Sequence, residues 1–193
     1  MNGFRNLILI KHARPAIDPA KPPEQWPLGD EGRAAAAAMV DRLAAFKITQ
    51  IFHSDEVKAI ETAEILAARL DAPLSFRADV HEHDRSNVPH MRSGEFISHV
   101  ELFFRKPDEL VLGKETATGC LARYQAAIDG IIAEQHTGDV AVVTHGTALA
   151  LYLAQLGTGK PFDIWRRMGL PSFAVIDLHS MTCTQMVDRI NPE

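Results

Sequence analysis

The sequence predicts an α/β fold, a three-layer α/β/α sandwich around a mostly parallel sheet. Leu7-Ile8-Leu9-Ile10 and Val140-Ala141-Val142-Val143 are unbroken apolar runs of strand length. That is the pattern of strands buried on both faces, as in a parallel sheet. Strand signals also alternate with segments of helical apolar spacing, as in a succession of β-α units. A third observation points toward function. The strand-like segments lead into titratable residues: Lys11-His12, His53-Ser54, His81-Glu82 and His145. In an open α/β sheet the carboxyl ends of the strands are where ligands bind.

The first strand is Asn6-Leu7-Ile8-Leu9-Ile10, stopped by Lys11, His12, Arg14 and Pro15, because proline cannot donate to a strand ladder. Residues 15–29 carry five prolines and read as an irregular surface loop. Asp30 is the expected N-cap of a helix over residues 30–46, with Glu31 in its first turn and an alanine run at 34–38. Gln50-Ile51-Phe52 is a short strand. Ser54 is the expected cap of a helix opening with Asp55 and Glu56 and running to Leu70, which sets Lys58 in the first turns. A third strand is expected at Leu74-Ser75-Phe76, leading into residues 79–84.

Residues 94–104 have a helical apolar pattern that Pro107 ends, and a longer helix is expected over 118–135. Residues 139–144 form the clearest strand, followed at once by a helix over 148–156. Residues 173–178 and 183–187 close the chain as a hairpin at a sheet edge.

The chain has 193 residues, 46% hydrophobic and 23% charged, without repeats, and is expected to be a single domain over 1–193. Residues 85–115 are the least readable and are expected to form an insertion or lid over the site. The net charge of -5 comes with no basic block, which argues against a nucleic-acid partner. Local groups of Lys, Arg and His suggest a small anionic ligand instead. Cys120 and Cys183 make neither a disulfide framework nor a zinc knuckle, and no segment approaches a membrane span. The apolar stretch near the start is too short for a signal peptide. A cytoplasmic protein that does not engage membranes is expected; oligomeric state is not legible.

If the sheet is parallel, the strand ends fall on one edge, and the helices starting after Ser54 and His145 aim free N–H groups at it. Cations, imidazoles and helix amino ends together describe a phosphate site. Glu82 or Asp84 could supply the acid that a leaving group needs, with Glu82 preferred. His53, His81 and His83 invite a metal reading, but no His-Glu-x-x-His or paired-cysteine spacing supports it, so no metal or other cofactor is expected. Arg123 reads as a solvated or surface-paired helix residue.

Leu9-Ile10-Lys11-His12-Ala13 resembles the signature of the histidine phosphatase superfamily, the phosphoglycerate mutase-like fold, whose usual form is Arg-His-Gly. The resemblance continues through Pro27-Leu28-Gly29 with Gly32. Residues 54–63 resemble the family's Ser-Pro-Leu-x-Arg-Ala-x-Gln-Thr-Ala element. Glu82 then falls at the acid position and Val143-Thr144-His145-Gly146 at the second histidine.

This resemblance implies a phosphatase that hydrolyses a phosphomonoester, on a small molecule or a phosphoprotein, without metal. It implies a phosphohistidine on His12 as intermediate, Lys11, Lys58 and His145 on the phosphoryl oxygens, and Glu82 as the acid. Mutase activity is the weaker version. Both arginines that normally clamp the phosphate are lysines here, which keeps charge but loses the planar fork; Arg14 is the candidate to restore it. The same departures leave open a second reading, a phosphate-binding or regulatory module with little or no turnover.

Overall fold

The structure is a computed structural model that describes residues 6–89, 91–134 and 137–191. Among these, six strands form one sheet: β1 (Asn6–Lys11), β2 (Ile48–His53), β3 (Leu74–Phe76), β4 (Asp139–Thr144), β5 (Ser172–Asp177) and β6 (Thr182–Val187). Their spatial order is β3-β2-β4-β1-β5-β6. The first four are mutually parallel, and the closing hairpin runs β5 antiparallel to β1 with β6 at the edge.

Among the described residues six α-helices flank the sheet: α1 (Asp30–Leu43), α2 (Val57–Leu70), α3 (Ser93–Arg105), α4 (Ala117–Ala133), α5 (Gly146–Gln155) and α6 (Pro161–Arg167). The period of two along the strands divides the core into layers. Ile8 and Ile10 of β1 join Ala141, Val143 and Ile51 against Met39, Leu43, Ala63 and Leu66 of α1 and α2. Leu7 and Leu9 face the opposite layer, with Val140, Val142, Tyr124 and Ile128 of α4, and most of α5. Between their end residues, strands β1 and β4 are apolar because both of their faces are covered.

Several boundaries differ from the sequence expectations. Gly29 is the N-cap of α1 and Asp30 its first residue. The helix after Ser54 begins at Val57, with Glu56 at its N-cap position. Thr116, whose hydroxyl accepts from Gly119 N–H at 3.0 Å, starts α4 earlier than expected. Gln135, the expected end of that helix, lies outside the described residues. The short α6, which opens on Pro161, has too few residues to carry a visible helical period. Within residues 85–115, helix α3 buries Val100, Phe103 and Phe104 in the same core as α4 and α5.

Topology sets the site. Because β4 is inserted beside β1 with Lys11 opposite Thr144, the next residues of the two strands, His12 and His145, come together. The His12 N–H donates to Thr144 O at 3.0 Å and continues the ladder one step beyond the strands.

Candidate active site

His12 and His145 are both buried, with ring centroids 5.1 Å apart. The Nδ1 of His12 lies 2.7 Å from Ala13 O. A carbonyl can only accept, so Nδ1 carries the proton and the Nε2 lone pair is left free. Burial first, then neighbouring His145 and Lys58, hold the His12 imidazole well below its ordinary pKa, so it is neutral near pH 7. His145 is also lowered, chiefly by burial, with Glu56 opposing. Its Nε2 sits 2.6 Å from Ser54 Oγ, and its Nδ1 has no hydrogen-bond partner among the described residues. Ser54 therefore serves the second histidine rather than capping α2 as expected.

Glu82 lies in a loop beyond β3, not at a strand end. Its carboxylate is seated on the amino end of α5, where it accepts from Thr147 N–H at 3.1 Å and Ala148 N–H at 3.2 Å. The N–H of His83 donates to it at 2.9 Å and the guanidinium of Arg85 stands 3.4 Å away. Burial opposes its charge, but Arg85, His145 and these N–H groups hold it well below the usual carboxylate range. The free protein thus holds Glu82 ionised.

Two lysines enter from different elements. Lys11 is partly buried and donates from Nζ to Met168 O at 2.8 Å. Burial pulls it from 10.5 down to about 8, with Glu82 raising it and Arg85 lowering it. Its stem runs beside Gly146, where a Cβ would lie 2.9 Å from Lys11 Cε. Lys58 is buried; it donates to Pro23 O at 2.9 Å and is ion-paired with Glu56.

Lys11, His12, Lys58, Glu82 and His145 line one cavity of about 410 Å³, with Arg85, Glu56 and His81. Trp26, Trp165 and Pro23 contribute to its wall. Arg14 is not among these residues. It points outward, 62% exposed at the side chain, and faces Glu31 at 3.6 Å. The preceding Ala13 turns inward, its N–H held by Thr62 Oγ1 at 3.0 Å.

Asp84 is at the cavity rim, where its carboxylate accepts from Ser86 N–H and hydroxyl at 3.1 and 2.8 Å. His83 packs on Phe103 with a centroid separation of 4.2 Å. Among the described residues, no group of three or more His, Cys, Asp or Glu side chains is placed to hold a metal ion.

Three contributors escaped the sequence reading. Arg123 is no solvated helix residue: it donates to Asp79 O at 2.8 Å, His81 O at 3.2 Å and Glu82 O at 3.3 Å, and pairs with Glu115 at 2.6 Å. It fastens the loop that carries Glu82. Arg85 bridges Glu82 and Thr147 Oγ1, the latter at 3.3 Å, and lies over the Phe96 ring. Glu56 receives the Glu82 N–H at 3.1 Å. Its signal was a carboxylate standing where the resembled motif has an apolar residue.

The family model of the histidine phosphatase superfamily, branch 1, matches residues 7–192. No curated relative matches the chain in sequence. Among solved structures, a mycobacterial glucosyl-3-phosphoglycerate phosphatase complexed with VO3 superimposes with a TM-score of 0.74 at 19% identity, covering 98% of this chain and 100% of that one. A phosphoserine phosphatase mutant from Entamoeba histolytica, in complex with phosphoserine, gives 0.76 at 14% identity over 94% of this chain and 96% of that one. Bacillus stearothermophilus YhfR gives 0.74 at 22% identity over 95% and 96%. At these identities the likeness is one of fold.

Proposed function

The chain belongs to the histidine phosphatase superfamily, and on that premise we propose that it is a metal-independent phosphomonoesterase acting through a phosphohistidine on His12. The carrying observation is that His12 has its Nδ1 proton committed to Ala13 O at 2.7 Å, which leaves Nε2 as a free nucleophile in a cavity that also holds cations and a carboxylate.

Nε2 attacks phosphorus, the bond from phosphorus to the ester oxygen breaks, and the departing oxygen takes a proton from Glu82. Water then attacks the phosphohistidine, the P–N bond breaks, and Glu82 receives the water proton. Lys11 and Lys58 face the non-bridging oxygens as charge builds on them, and His145 offers its unpartnered Nδ1 when the Ser54 hydroxyl donates to Nε2. Glu82 is ionised in the free protein, so its proton must come with the substrate, from a phosphoryl group bound as the monoanion. A small phosphorylated metabolite or phosphoprotein is the substrate class, and the cytoplasm its setting.

One observation favours a second reading. Lys58, at a phosphate-clamp position of the family pattern, is already ion-paired with Glu56, as in a phosphate-binding module with little turnover. Hydrolysis of p-nitrophenyl phosphate with EDTA present, comparing the parent with His12→Ala, separates the two. Activity that survives EDTA and is lost in the variant, with phosphohistidine trapped on the parent, is expected. A parent that binds phosphate without forming phosphohistidine would overturn the enzymatic reading.

A further inference from the structure

Glu56 is a buried carboxylate of the cavity that the proposed chemistry does not use. It is 12% exposed, and both its oxygens are engaged. One pairs with Lys58; the other accepts the Glu82 N–H at 3.1 Å and faces His145 Nε2 at 3.3 Å. Burial works against its charge, yet His145 and Lys58 hold it down at about 2. A permanent anion therefore stands among the groups that would receive a phosphate.

The charge balance of the cavity follows. Its cations are Lys11, Lys58 and Arg85. Lys58 is matched by Glu56 and Arg85 by Glu82, at 3.4 Å in the latter pair. Lys11 alone of the three has no ion-pair partner among the described residues. Glu24, Asp55 and Asp84 add negative charge at the lining. A doubly charged phosphoryl group would meet one cation outside an ion pair and several carboxylates. Like charges a few ångströms apart in a partly desolvated cavity repel strongly enough to decide which ionic form binds.

We propose that Glu56 is a specificity-determining residue, an internal counter-anion that sets the cavity for a phosphoryl group bearing a single negative charge and against the dianion. The assignment rests on the phosphate-site reading above and adds the charge state of the ligand. It also fits the proton supply of Glu82, because a monoester that enters as the monoanion brings the proton that the free site lacks. A phosphodiester has the same single charge without that proton.

The test uses two ligands that are not hydrolysed: phenylphosphonate, largely dianionic above neutral pH, and its monomethyl ester, a monoanion. Calorimetric titration of the parent is expected to give the ester an affinity at least equal to that of the dianion. In Glu56→Gln the dianion is expected to bind on the order of tenfold more tightly, while the ester stays within about threefold. Glu56→Leu, with the apolar residue of the family pattern, provides a second variant with the same expected gain.

A dianion affinity that is unchanged or weaker in both variants would overturn the assignment, since it would make Glu56 a structural support for Lys58. Turnover distinguishes the sources of the single charge. Aryl monoester hydrolysis that rises as the pH falls through about 6 marks the monoanion, and hydrolysis of a methyl aryl diester marks the diester. Absence of any turnover with the binding preference intact would refute the phosphatase reading and leave the role of Glu56 standing.

Discussion

Replacing Lys11 by methionine should make the protein more stable and less active at once. The Lys11 ammonium has left water for a site where it has one hydrogen bond, 2.8 Å to Met168 O, and its pKa falls from 10.5 to about 8. Such a drop corresponds to roughly 3 kcal/mol of disfavour for the charged form in the folded state, as an upper figure. Methionine fills a similar volume without the charge but leaves Met168 O without its donor, a loss of about 1–2 kcal/mol. The net expectation is a gain of about 1–2 kcal/mol at pH 7, or about 3–6 °C in Tm for a chain of this size.

The sign of the pH dependence sharpens the test. Between about pH 8 and 10.5 the unfolded chain holds a proton on Lys11 that the native state has released. Parent stability therefore rises across that window, and the advantage of Lys11→Met shrinks. Thermal unfolding followed by circular dichroism, at pH 7 and at pH 10.5 in phosphate-free buffer, gives both values; phosphate is omitted because binding would itself raise Tm. In parallel, kcat/KM for an aryl phosphate should fall about 10²–10³-fold, since the variant lacks the cation with no internal partner. A variant less stable than the parent at pH 7, or a stability gap of equal size at pH 10.5, would refute the reasoning.

Two further outcomes follow from the same groups. Above about pH 8, kcat/KM of the parent should decline as Lys11 gives up its proton in the free protein; a pH–rate profile of Lys11→Arg should lack that limb, because guanidinium stays charged. Glu82→Gln should lower kcat/KM, which covers the steps up to departure of the leaving group, by about 10²–10⁴-fold for an alkyl phosphate and by less than about tenfold for p-nitrophenyl phosphate, since nitrophenolate departs without a proton. Equal losses in kcat/KM on both substrates would overturn the assignment of Glu82 as the acid.

Much of this could be read from the chain because its determinants are local. Leu7 to Ile10 and Val140 to Val143 announce strands covered on both faces, and His12 and His145 follow them directly, so a parallel sheet suffices to bring the two imidazoles to one edge. The resemblance added a phosphate-binding role for Lys58 to the Glu82 already read as the acid, and the cavity includes both. Arg14 failed for a local reason that composition hides: a residue three beyond a strand end has no fixed direction until its neighbours, here Ala13 and Thr62, are packed.

Partners are what the sequence left undetermined. A glutamate before a helix reads as a favourable first-turn charge, and nothing nearby in the chain says that Glu56 meets Lys58, Glu82 and His145 together. Arg123 on α4 likewise looks like any exposed arginine until the 79–84 loop is laid across it. The sequence by itself determined the strands, their burial and the two histidines, because the period of side chains along a strand is a property of a few adjacent residues. The tertiary structure alone decided the charge balance of the cavity, because an ion pair depends on the separation of groups brought together from four or more distant segments, and Coulomb energy follows that separation rather than residue order.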